Sequence, residues 1–159
     1  MSIVMRRLRY ALAVSSALFL GMLIAEGLEA RGQPIIVELT QTGCQFVEPE
    51  GRDRLYETTK KADCDAVNAK TGADRVAQAN VLRLRPGKYI FRVTNKNVPY
   101  DLGFWLRGKG LGRLTLPSVS GGGLTTGATK DYVVTLTAGE YLYSCPLNPT
   151  PDYRLVVDN

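Results

Sequence analysis

Alternation of apolar and polar residues is the strongest signal in this chain, and it is clearest from residue 81 onward. Tyr89, Phe91 and Val93 alternate with Lys88, Ile90 and Arg92, so residues 81–95 read as two strands around a Pro86-Gly87 turn. An earlier strand is expected over residues 35–40, and an aromatic strand carrying Tyr141 and Tyr143 follows the glycine turn at Gly139. Residues 50–80 break the alternation. They are polar and charged, and residues 60–70 take a helical period, with Cys64 and Val67 three apart, Thr58 or Thr59 placed to cap the start and Gly72 placed to stop it. This stretch reads as an insertion carrying a short helix across one edge of a sandwich. Residues 120–123, Ser-Gly-Gly-Gly, read as a loop, without the strand–turn–helix setting of a phosphate-binding loop.

Two sheets sharing one interior would bury the inward set of each strand. The expected core is Ile36, Val37, Phe46, Leu82, Leu84, Tyr89, Phe91, Val93, Leu102, Phe104, Val133, Leu136, Tyr141, Tyr143, Leu155 and Val157. Trp105 is expected to pack, with a partner-facing role as the second reading. At 159 residues the chain suits one all-β domain preceded by a separate segment. That segment is residues 1–30. Arg6, Arg7 and Arg9 precede an apolar run over residues 10–25, and Leu28-Glu29-Ala30 resembles a small-residue cleavage site. The pattern predicts a secretory signal and an exported, periplasmic domain over residues 31–159, with the insertion at about 50–80. An uncleaved membrane anchor is the second reading, because the run is shorter than the ~20 residues of a spanning helix.

The net charge of +5 is mild. Arg83, Arg85, Arg92, Arg107, Lys109 and Arg113 read as the solvated faces of strands, and no nucleic-acid partner is expected. The chain contains no histidine, so Ser-His-Asp and Cys-His catalysis are excluded. Asp101 and Asp152 read as turn residues or solvated charges, and an enzyme is disfavoured. Three cysteines in an exported chain leave one thiol over. The expected bridge is Cys44–Cys64, tying the insertion to the end of the first strand and stabilising by roughly 3 kcal/mol on a chain-entropy argument. A Cys64–Cys145 pairing is the arrangement that would overturn it. Cys145, left free, reads as a buried small apolar residue, or alternatively as a redox or metal-reactive thiol.

Cys145 closes the segment Thr137-Ala-Gly-Glu-Tyr-Leu-Tyr-Ser-Cys-Pro146, which resembles the metal-cysteine end of a cupredoxin, the blue-copper family. Upstream, Asn95-Lys-Asn-Val-Pro-Tyr100 is similar to the Asn-x-x-x-Pro-His stretch that supplies that family's first copper histidine. The likeness covers residues 81–157, and residues 34–46 more weakly. It implies a cupredoxin-like Greek-key β-sandwich in which the loops after Asn95 and Cys145 meet at one pole. Copper in that family needs two imidazoles beside the thiolate, with Met as the usual axial ligand. This chain departs from that set. Tyr100 stands at the His position, neither His nor Met follows Cys145, and the only methionines are Met1, Met5 and Met22.

The resemblance therefore implies a degenerate pole of Tyr100, Cys145, Leu147 and Asn148, with no metal or other cofactor. Tyr100 and Leu147 are expected to close it, the Tyr100 ring near Cys145 and its hydroxyl on a polar partner. The function implied is an accessory or interaction subunit with a protein partner, such as a membrane redox, respiratory or photosynthetic complex; an uncleaved N-terminal segment would add contact with the membrane. The alternative is a periplasmic copper-handling or thiol-redox protein using Cys145.

Overall fold

The computed structural model describes residues 33–159, so the expected signal or anchor over residues 1–30 lies outside the described residues. Nine strands build two sheets. The first has the order β2-β1-β4-β7, with β1 Ile35–Thr42, β2 Gln45–Phe46, β4 Gly87–Asn95 and β7 Thr129–Leu136. The second has the order β3-β9-β8-β5-β6, with β3 Leu82–Leu84, β5 Leu102–Gly108, β6 Val119–Leu124, β8 Gly139–Ser144 and β9 Tyr153–Val157. Pro86 explains one crossing between them. It has no N–H for a ladder, and the chain on its two sides goes to opposite sheets: β3 runs parallel to β9, while β4 runs parallel to β1 and antiparallel to β7. The result is the expected two-sheet β-sandwich with a helix-bearing insertion.

The interior is aromatic. Phe91 stacks on Phe104 with ring centroids 5.4 Å apart, and Phe46 meets Phe104, Tyr143 and Tyr153 edge-on. Such pairs add roughly 0.5–1.5 kcal/mol each beyond burial of their area. Two expected core residues lie outside it. Ile36 and Val133 are 46% and 52% exposed. Register explains both: Ile36, Ile90 and Val133 pair in one row across β1, β4 and β7, on the outer face of that sheet. Val133 and Leu136 are three residues apart and cannot share a strand face of period two. The alternation instead buries Tyr132, Val134 and Leu136. Leu39, Val98, Leu106, Leu124 and Tyr153 complete the core.

Residues 120–123 are not a loop. They form the exposed middle of β6, an edge strand paired with β5. The helix also runs further than expected. Single-turn α1 spans Val47–Glu50, and α2 spans Lys61–Gln78, passing through Gly72. Its start is held by Asp63, whose carboxylate accepts the N–H groups of Thr59 and Lys60 at 2.8 and 3.1 Å. A mid-helix glycine costs about 1 kcal/mol, and the contacts made beyond Gly72 outweigh it.

Those contacts centre on Arg75. Its guanidinium bonds Glu50 at the end of α1, the Asn68 amide at 2.7 Å and the Cys44 carbonyl at 2.9 Å. Glu50 also accepts bonds from Arg54 and the Tyr153 hydroxyl, and its side chain has no exposed surface. Burial alone would raise the Glu50 carboxyl, but the bonds from Arg75, Tyr153 and Arg54 outweigh burial and hold it below its ordinary value of 4.5. A carboxylate depressed by folding contributes stability that is complete above the unfolded value and disappears as pH falls through the folded one. The urea midpoint is therefore expected to fall with acidification below about pH 4.5. A Glu50→Gln protein should show a flatter profile across the same window; an unchanged profile would remove Glu50 from the account.

Candidate functional site: the Cys145 pole

One end of the sandwich gathers the β1–β2 turn, the loop before β5 and the loop after β8. The β1–β2 turn is tight, with Thr42 paired to Gln45 and Cys44 in the left-handed region at φ 62°. That conformation costs a non-glycine residue roughly 1–2 kcal/mol. Three attachments hold it there. Cys44 forms a disulfide with Cys64 on α2 (Cα–Cα 4.9 Å), its N–H donates to Asn148 Oδ1 at 2.9 Å, and its carbonyl accepts from Arg75. Gly43 has no choice of side chain, since a Cβ there would lie 2.1 Å from the Tyr56 carbonyl oxygen.

Cys145 is free and 1% exposed. Its sulfur accepts the backbone N–H groups of Gly103 at 3.3 Å and Asn148 at 3.2 Å. Burial pushes the thiol above its ordinary value, and bonds from the Gly103, Asn148 and Leu147 backbone and the Gln41 side chain offset only part of that. The thiol therefore stays protonated at neutral pH. The expected consequence is kinetic: a thiol reagent should modify Cys145 only as the protein unfolds, whereas rapid stoichiometric modification of the native chain would show an accessible, activated sulfur.

Asn148, whose N–H reaches this sulfur, also meets Tyr100. The Tyr100 hydroxyl lies 2.9 Å from Thr58 Oγ1 and 3.4 Å from Asn148 Oδ1. Asn148 is fully buried, and its Nδ2 donates to the Thr42 carbonyl at 2.9 Å. Its Oδ1 also lies 3.1 Å from Cys64 Sγ, a contact rather than a hydrogen bond, because a disulfide sulfur has no proton to give. Leu147 behaves differently. It is 45% exposed and turns toward Gly122 and Pro146 in a shallow groove along β6, so the closing side chain beside Tyr100 is Asn148 and not Leu147. Asp101 is exposed, and Asp152 pairs with Arg107, which also stacks over Trp105 at 3.9 Å. Half-buried Trp105 is thus packed beneath an arginine.

Gln41 escaped sequence reasoning. It lies at the end of β1, is fully buried, and donates through Nε2 to the Gly103 carbonyl at 2.8 Å. Its Oε1 is the single buried side-chain polar atom without a partner among the described residues. A glutamine at the end of an apolar strand carries no local signal of burial. Only the pairing of β1 with β4 brings it to the pole.

The residues at this pole do not fit type 1 copper. The donor set is one thiol, a phenol and two amides; Asn148 is already committed to Cys44 and Thr42, and Tyr100 to Thr58. Imidazole is what that metal requires, and none is present in the chain. Among the described residues no three His, Cys, Asp or Glu side chains are grouped to hold a metal ion.

No family model and no curated relative matches the chain. Among solved structures it is similar to auracyanin A, a "blue" copper protein of the green thermophilic photosynthetic bacterium Chloroflexus aurantiacus, with 15% identity, 79% of this chain and 100% of that chain covered, and a TM-score of 0.42.

Proposed function

We propose that this chain is an exported, cupredoxin-like domain without type 1 copper, serving as an accessory or interaction subunit of a membrane-associated protein assembly. The observation that supports this most is the use of the pole's polar groups. Asn148 and Tyr100 spend their hydrogen bonds on the chain itself, joining the β1–β2 turn, the insertion and the post-Cys145 loop. A pole organised in this way is a structural joint, and what remains for function is surface. The sequence of residues 1–30 supports export or anchoring. Co-purification from gently solubilised membranes tests the reading: the chain should elute with a larger protein assembly. Recovery only as a free, processed monomer would reject it.

A second reading, thiol redox or copper handling at Cys145, is favoured by the unpartnered Gln41 Oε1 close to that thiol. It is an acceptor with spare capacity next to the free thiol, which would have to lose its proton to bind a soft metal. It requires a sulfur that reagents can reach in the native protein, the opposite of the outcome expected above.

A further inference from the structure

The end of the sandwich opposite Cys145 has a different character. Here β4 begins at Gly87, paired with Leu136, and β8 begins at Gly139, paired with Val157; β5 ends at Gly108, paired with Tyr141. A 3₁₀ turn, Gly110–Leu114, projects from this end. It is tightly seated: a Cβ on Gly108 would lie 2.2 Å from the Gly112 carbonyl oxygen, and the Lys109 N–H donates to the Glu140 carbonyl at 2.9 Å. Yet Leu111 and Leu114 are 86% and 85% exposed, the two most exposed large apolar residues among those described. A rigid turn holding two leucines in water needs a reason.

Three observations bear on what covers them. Exposed Arg85 and Lys88 lie at the same end and take part in no salt bridge among the described residues; exposed Arg113 also forms no salt bridge, its guanidinium lying 5.2 Å from the Trp105 ring centroid. Strand β1 also begins here, with exposed Ile35 opposite Tyr89. Finally, the apolar run of residues 10–25 precedes that strand in the sequence, and the short stretch over residues 26–34 reaches at most about 30 Å fully extended. If that run is held in a bilayer, this end of the domain is the one tethered to it.

We infer that this end, led by Leu111 and Leu114 and ringed by Arg85, Lys88 and Arg113, docks on an anionic lipid surface. Leucines enter the boundary between headgroups and acyl chains, and the cations meet the lipid phosphates. The inference rests on the membrane-associated part of the proposed function and adds which face meets the bilayer. It leaves the Cys145 pole directed away from that surface.

The test uses the full chain incorporated into protein-free vesicles of phosphatidylcholine alone or mixed with phosphatidylglycerol. A Leu111→Trp reporter in a Trp105→Phe background is compared with a Leu147→Trp reporter at the opposite pole, using bromine-labelled lipids as quenchers. The docked face predicts strong quenching at position 111 in anionic vesicles, at least a tenfold weaker effect at position 147, and weaker quenching at 111 in phosphatidylcholine alone. Hydrogen exchange of residues 108–116 in the unmodified chain provides a second measurement, with slowing expected on anionic vesicles.

A chain that floats with vesicles but shows no quenching at 111 and no slowed exchange overturns the docking face while leaving membrane association intact. A chain that does not associate with vesicles overturns both. Protection of residues 108–116 that appears only in native membranes, and not in protein-free vesicles, assigns the surface to a protein partner and also overturns the inference.

Discussion

Arg75→Ala is expected to destabilise the protein by about 3–5 kcal/mol, because it leaves a buried carboxylate without its cation. Glu50 has no exposed side-chain surface, and Arg75 is its principal partner. The same guanidinium caps the Cys44 carbonyl and holds Asn68, so one truncation releases α2 from α1 and from the β1–β2 turn. Equilibrium unfolding in urea measures the loss directly. Combining Arg75→Ala with Glu50→Leu should recover part of it, since an uncompensated buried charge costs more than an absent pair. A loss below about 1 kcal/mol for Arg75→Ala would mean that the ion pair is not what clamps the insertion.

Asn148→Ala is expected to cost roughly 2–6 kcal/mol, since two buried backbone groups lose their partners at ~1–3 kcal/mol each. These are the Cys44 N–H and the Thr42 carbonyl, both in the β1–β2 turn. The effect should not stop at stability. With the Asn148 side chain gone, the turn, Tyr100 and the post-Cys145 loop lose their common partner, and native-state modification of Cys145 should accelerate together with the stability loss. A destabilised variant whose thiol remains as slow as in the parent would show that Asn148 braces the turn without shielding the sulfur.

The strands were readable from alternation because each sheet has one buried face, and the period-two signal of β4 survives along its buried stretch, that of β8 through Tyr143. Failures came where the face depended on pairing. Ile36 and Val133 are apolar and lie in strands, yet register sets them beside Ile90 on the outer face. The glycines of β6 look like a loop because the strand is held by ladder bonds to β5 and has little side-chain packing of its own. Helix α2 outran Gly72 because its anchor, Arg75, reaches Glu50 from 25 residues away, a distance no local pattern spans. At the pole, Tyr100, Cys145 and Asn148 were reachable through family-like spacing around Pro99 and Pro146. Gln41 was not, since nothing in its neighbourhood marks a polar side chain that a parallel strand pairing will bury.

A closed, hydrogen-bonded joint at the Cys145 pole would leave no type 1 copper site. Addition of Cu(II) to the purified chain, followed by visible absorption and metal stoichiometry, tests it most directly. No intense blue band and no stoichiometric uptake are expected, with the Cys145→Ser protein indistinguishable from the parent. One equivalent of copper bound with a strong thiolate-to-copper absorption, abolished by Cys145→Ser, would contradict a closed joint.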